Sequence, residues 1–122
     1  HDYPEPSHLS LNQWAPSGVW TLAEHAAVLG EAPGRIAIRI HARDVNLVMG
    51  GAEGGLSVPF RVFIDGEAPG AAHGTDVDEQ GNGTVSEQRL YQLIRQPKPI
   101  AERYFEIEFL DSDVEAYCFT FG

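Results

Sequence analysis

The sequence predicts an all-β domain, an antiparallel β-sandwich. Three observations predict it. Apolar residues recur at every second position through several segments, which is the repeat of a half-buried strand. Helical periodicity is nearly absent. The 13 glycines and 8 prolines scattered through 122 residues call for many turns and short elements. The length is that of one domain, spanning 1–122, and suffices for a core without disulfide staples.

The elements follow in chain order. His8 to Trp14 and Val19 to Leu22 read as edge strands, with Pro16-Ser17-Gly18 between them. Leu22 to Leu29 is the one stretch that tolerates a helical turn, but it reads better as strand or coil. Arg35 to Ala42 alternates most clearly: Ile36, Ile38, Ile40 and Ala42 share one face, and Arg35, Arg39 and His41 the other. Val45 to Met49 repeats the character after a short link, so these two strands are expected to be hairpin neighbours. Gly50 to Gly55 is glycine-rich and reads as a flexible loop.

Val58 to Ile64 places Phe60, Val62 and Ile64 inward and runs into Asp65-Gly66, a strong hairpin signal. Residues 66 to 83 are polar and glycine-rich and read as a long loop with room for a short strand, and Asn82-Gly83 is a further turn signal. Leu90 to Arg95 has adjacent Leu93 and Ile94 and reads as a strand buried on both sides. Gln96-Pro97-Lys98-Pro99 breaks the chain. Tyr104 to Phe109 alternates again, Asp111-Ser112-Asp113 turns, and Val114 to Phe121 closes the fold. At least eight short strands of this kind suggest a jelly roll.

Composition excludes several functions. Eighteen acidic residues against 8 basic ones give a net charge of −10. Nucleic acids and anionic membranes need a basic face, so neither is an expected partner. No apolar run approaches 18 residues, so no membrane-inserted helix is expected. Cys118 is the single cysteine; it forms no internal disulfide, redox pair or cysteine-rich zinc site, and is expected to be buried or half-buried.

Two local patterns suggest chemistry. Asp76 to Glu87 nearly matches a twelve-residue calcium loop, with Asp76, Asp78, Gln80, Asn82 and Glu87 as oxygen donors and Gly81 at the bend. Gln80 and Gly83 depart from that pattern and no helix precedes it; the simpler reading is a solvated acidic loop. His41-Ala42-Arg43-Asp44 clusters an imidazole, a guanidinium and a carboxylate at a strand end. His1, His8, His25 and His73 form no metal-ligand spacing. No nucleophile elbow, phosphate loop or Ser-His-Asp set is present, and a catalytic role is not expected. No cofactor is expected beyond the calcium candidate.

Flat aromatic rings flanked by polar side chains are how sandwiches bind sugars. Trp14, Trp20, Tyr3, Tyr91 and Tyr104 have that character, against a simpler role in the core. The candidate ligand surface combines Tyr91, Gln92 and Arg95 with His41 and Arg43, and Trp14 and Trp20 are further candidates.

Several segments together resemble one family: Gly18-Val19-Trp20, HARDVNLVMG from His41 to Gly50, FRVFIDG from Phe60 to Gly66, LYQLIR from Leu90 to Arg95, and VEAYCFTFG from Val114 to Gly122. They are similar to the C-terminal domain of DipZ-type thioredoxin-like proteins, from about Ser7 to Gly122. The resemblance implies a galactose-binding-like sandwich similar to carbohydrate-binding modules. It also implies an attached thioredoxin-like domain and an extracytoplasmic, periplasmic or cell-envelope location. A chain beginning at His1 rather than Met is what an excised C-terminal piece would show. Two readings of function follow: a non-catalytic accessory module that binds cell-envelope carbohydrate, or a structural module that packs on the thioredoxin-like domain or a partner protein.

Overall fold

A computed structural model of the chain describes residues 1–4, 11, 13–51 and 57–122. Among them are nine strands: β1 (Asp2–Tyr3), β2 (Trp14–Leu22), β3 (Ala27–Ile40), β4 (Asp44–Gly50), β5 (Val58–Ile64), β6 (Asn82–Val85), β7 (Arg89–Arg95), β8 (Arg103–Phe109) and β9 (Glu115–Phe121). One short 3-10 turn, Gly70–Ala72, lies in the long connection between β5 and β6. Every ladder between named strands is antiparallel. The all-β antiparallel expectation therefore holds.

The strands run in the order β6-β5-β8-β3-β9-β4-β7, with β2 on β3 and β1 on β2. The long strand β3 makes this sheet curl into a sandwich. Gly34 to Ile40 pair with β8, whereas Ala27 and Val28 pair with β9. Between these halves Gly30 to Pro33 are exposed, and a Cβ on Gly34 would run into the Leu29 side chain. The strand folds close upon itself there, and only glycine leaves the room. Alternation alone starts this strand at Arg35, because Gly30 to Gly34 carry none; the continuity of β3 back to Ala27 has no local signal.

Alternation identifies the core face correctly. Ile36, Ile38 and Ile40 are buried with Val45, Leu47, Met49, Phe60, Val62, Phe105, Ile107 and Phe109 in one cluster. Burying large apolar side chains contributes roughly 1.5–3 kcal/mol each before entropy is counted. The Asp65-Gly66 turn also forms. Both residues have positive φ, 51° and 80°, and Ile64 and Glu67 exchange backbone hydrogen bonds across them. That is the two-residue turn whose twist matches paired strands. The return arm is a single bridge, and β5 takes β6 as its lasting partner.

Five local expectations are corrected. The strands β3 and β4 are not hairpin partners: β9 stands between them, and β4 pairs with β9 and β7. Both flanks of β3 are occupied, by β2 on one side and by β8 and β9 on the other, so β4 has no place beside it. Pro16-Ser17-Gly18 does not separate two strands; β2 runs through it with a bulge at Gly18, whose φ is 102°. Asn82-Gly83 is not a turn but the start of β6, and Gly83 is required because a Cβ would meet the Phe60 ring. Leu93 and Ile94 are both buried because β7 bulges between Gln92 and Ile94, not because both faces are covered. Cys118 is exposed, since its partner residue across β4 is Val48, on the outer face. Leu22 to Leu29 is strand and turn, as preferred. The stretch 5–10, the start of the expected His8 to Trp14 strand, lies outside the described residues, as does 52–56 of the glycine-rich loop.

Candidate functional site

A polar concavity lies on the outer face of β4 and β7. Register sets its rows. Asp44 stands opposite Arg95, and in the next row Asn46 lies between Thr120 and Gln92. All project away from the core, because Val45 and Leu47 between them project into it.

A loop forms the far wall. Gly74 N–H donates to the Leu93 carbonyl at 2.9 Å, and Asp76 N–H to the Gln92 carbonyl at 3.0 Å. The approach is so close that a Cβ on Gly74 would collide with the Gln92 backbone. The Asp76 carboxylate returns the contact, accepting Gln92 N–H at 2.7 Å and Arg89 Nη2 at 2.8 Å. Burial pushes its pKa up, but the Arg89 and Gln92 hydrogen bonds outweigh it and hold the carboxyl below the usual aspartate range. The otherwise open edge of β7 is thereby covered.

His73 and Thr75 stand on this wall. His73 Nδ1 lies 2.8 Å from the Gly74 carbonyl and 2.9 Å from the Val77 carbonyl. Carbonyl oxygens only accept, so Nδ1 carries the hydrogen and donates to both. Thr75 Oγ1 donates to Gln92 Oε1 at 3.2 Å. The cleft so enclosed measures about 240 Å³ and is lined by Asp44, Asn46, His73, Thr75, Gln92 and Arg95, with Gly74 and Ile94 at its base. Enclosed sites for small molecules run from roughly 300 to 1,000 Å³. This smaller, open depression suits one edge of an extended ligand.

The structure sorts the predicted ligand residues. Gln92 and Arg95 line the cleft, and Arg43 reaches its rim by pairing with Asp44 at 2.9 Å. That hydrogen bond raises the Arg43 guanidinium pKa. His41 is exposed on the turn after β3 and does not line the cleft. Tyr91 and Trp20 are fully buried, so neither ring can lie against a sugar. The Tyr91 hydroxyl accepts from Ser86 N–H and donates to the Glu87 carbonyl, tying the β6–β7 turn to the core. Trp20 Nε1 donates to the Ser17 carbonyl at 2.8 Å across the β2 bulge, and its ring meets Phe109 edge-on. Trp14 is partly exposed but lies elsewhere, edge-on to Phe119, beside Leu22 and Tyr117.

The structure places the oxygen donors of the calcium-loop candidate as follows. Asp78 Oδ1 accepts the N–H groups of Gln80 and Asn82, closing a tight turn on itself. Asp76 is engaged with Arg89 and Gln92, and Asn82 enters β6, where its Oδ1 accepts from Arg61. Glu87 lies past the end of β6, its side chain largely exposed and 3.8 Å from Arg89. The donors are thus spread along a strand and a turn instead of wrapping one point. Among the described residues no cluster of His, Cys, Asp or Glu is arranged to hold a metal.

Sequence reading missed Asn46, His73 and Thr75 as site residues. Asn46 had a signal: it is the polar outward position inside VNLVM. His73 and Thr75 had none, because only the fold of the 66–83 loop brings them to β7.

None of the curated proteins compared with the chain matches it. Among solved structures, it is similar to a family two carbohydrate esterase from Clostridium thermocellum in complex with cellohexaose. The TM-score is 0.62 at 11% identity, covering 90% of this chain and 31% of that one. An active-site mutant of such an esterase from the same organism aligns with TM-score 0.62 and 11% identity, covering 91% and 31%. The chain thus spans about a third of those structures, and at this identity the likeness concerns the fold. The family model for the thioredoxin-like C-terminal domain matches residues 1–122. Residues 1–122 therefore belong to the thioredoxin-like C-terminal domain family.

Proposed function

We propose that this domain is a non-catalytic accessory module of a thioredoxin-like protein and that it binds carbohydrate in the β4–β7 cleft. The observation that carries the reading is the cleft itself. Asn46, Thr75, Gln92 and His73 converge there as hydrogen-bonding groups beside one carboxylate and one guanidinium. Such a set matches sugar hydroxyls, which both donate and accept. The sandwich likeness to a carbohydrate esterase with bound cellohexaose supports it at the level of fold. A DipZ-type parent protein, a jelly-roll subtype and a location in the cell envelope go with this reading. The attached thioredoxin-like domain would carry any redox chemistry. A glycan array covering neutral and acidic cell-envelope and plant polysaccharides tests it: retention of the domain on a defined set of glycans supports the reading, and retention on none refutes it.

A second reading has its own observation. Trp14, Leu22 and Phe121 are exposed, and Trp14 joins Phe119 and Phe121 through ring contacts. Exposed apolar groups in contact mark protein contacts in other domains. This favours a module that also packs on the thioredoxin-like domain or a partner protein. Light scattering of the isolated domain and of the full-length protein separates the two readings. Independent tumbling of the domain in the full-length protein counts against packing.

A further inference from the structure

One arginine of this acidic chain stands apart from the others. Arg35, Arg39, Arg43, Arg61, Arg89 and Arg103 each hold a side-chain oxygen within 3.1 Å. The Arg95 guanidinium makes no hydrogen bond to a described residue; its Nε stands 4.0 Å from Asp44, beyond hydrogen-bond reach. That carboxylate is already held by Arg43 Nη2 at 2.9 Å, so two guanidinium groups share one negative charge. A positive charge is left over, in a chain where acidic residues outnumber basic ones 18 to 8. The Arg95 side chain is 66% accessible and lines the cleft. The planar fork of a guanidinium matches the two oxygens of a carboxylate, and here the fork is uncommitted.

The register of the sheet places this charge beside hydrogen-bonding amides. Asp44 faces Arg95 in one row, and Asn46 faces Gln92 in the next. Two residues along a strand are roughly 7 Å, about the width of a substituted pyranose ring. Thr75 adds a hydroxyl from the loop side, bonded to Gln92 at 3.2 Å. A uronate carries its carboxylate on one side of the ring and hydroxyls on the other, so it can meet both rows at once. The net charge of −10 repels anions at long range, but salt screens that field beyond about 8 Å, whereas a carboxylate on Arg95 is in contact.

We infer that the cleft takes an acidic glycan, with the carboxylate of a uronate on Arg95 and its ring hydroxyls on the Asn46–Gln92 row. The inference rests on the carbohydrate reading above and names the class of sugar.

Isothermal titration of the intact chain with cellohexaose and with its C6-oxidised counterpart, a β-1,4-linked hexaglucuronate, tests this directly. The two share backbone and length and differ only in the carboxylates. The acidic sugar is expected to bind about three- to tenfold more tightly, the effect of one charge-assisted pair at a part-exposed arginine. Arg95→Gln is expected to bring the ratio of the two affinities to about one. Asp44→Asn, which frees Arg43 as well, is expected to raise that ratio. The thermal midpoint of each variant confirms folding. Equal or tighter binding of cellohexaose overturns the inference and leaves carbohydrate binding standing. A ratio unmoved by Arg95→Gln in the folded variant overturns the placement. Hexaglutamate binding as tightly as hexaglucuronate overturns a glycan as the source of the carboxylate. If neither sugar binds, the glycan array decides: retention on neutral glycans alone overturns the inference, and retention on none refutes the carbohydrate reading itself.

Discussion

Asp76 carries a consequence that a stability measurement reads directly. Its carboxylate accepts a backbone N–H from Gln92 at 2.7 Å and a guanidinium hydrogen from Arg89 at 2.8 Å. Arg89 is 41% accessible, so the ion pair contributes only about 0–1 kcal/mol. A backbone N–H bonded to a charged acceptor contributes about 1.5–3 kcal/mol, and Asp76→Ala removes that acceptor. The expected loss for Asp76→Ala is thus about 2–3 kcal/mol, and for Asp76→Asn, which keeps an acceptor, about 1 kcal/mol. The pH dependence has a definite sign. The folded carboxyl titrates below the unfolded value of about 3.9, so the unfolded chain binds more protons in that range. The stabilisation is complete above that value and is lost as the pH falls through the folded pKa. The gap between wild type and Asp76→Ala should therefore be constant near neutrality and narrow in acid. Urea unfolding followed by tryptophan fluorescence measures it, because Trp20 is fully buried and reports exposure of the core. A loss below about 0.5 kcal/mol at neutral pH, within the range of ordinary surface changes, would refute the reasoning.

Other outcomes follow from the same geometry. Trp20→Phe removes the hydrogen bond to the Ser17 carbonyl and part of the packing on Phe109, and should destabilise by about 1–3 kcal/mol in urea unfolding; it should leave glycan affinity unchanged. Gly83→Ala forces a methyl against the Phe60 ring and the Asp76 carbonyl, and overpacking of this kind costs about 1–3 kcal/mol, seen as a lower melting midpoint. Calcium, compared with chelator, should leave the melting midpoint unchanged, since the Asp76 and Asp78 carboxylates already serve protein donors; a rise would establish the cation-loop reading. Cys118 should react with a maleimide in the native protein as fast as a free thiol; protection until unfolding would contradict its exposed position.

Fold and site were legible in the sequence to different depths. Two-residue alternation marks a buried face locally, so Ile36 to Ile40 and Phe105 to Phe109 could be assigned without knowing their partners. Pairing is not local. The expected β3–β4 hairpin failed because β9, some seventy residues later, takes the place beside both strands. Glycines misled twice for one reason. Asn82-Gly83 looks like a turn, yet Gly83 is there for close packing under Phe60, and Gly34 lies against Leu29. A glycine needed for space and one needed for positive φ are identical in a sequence. The aromatics misled because their type tells size and not orientation: Trp20 and Tyr91 satisfy their polar atoms inside the domain. Gln92 and Arg95 were candidates by residue type; three residues apart, both face outward only because β7 bulges between Gln92 and Ile94. His73 enters the site only through backbone contacts made by the loop with β7, which no local pattern encodes.

The central claim is that the polar face of β4 and β7 is where this domain meets its ligand. Backbone chemical-shift perturbation of the isotopically labelled domain, titrated with cellohexaose, tests it most directly. The account predicts saturable shifts concentrated at Asn46, His73, Thr75 and Gln92, with Trp14, Leu22 and Phe121 unmoved. Shifts confined to the Trp14 and Phe121 surface, or none at any residue for any glycan that the array identifies, would contradict it.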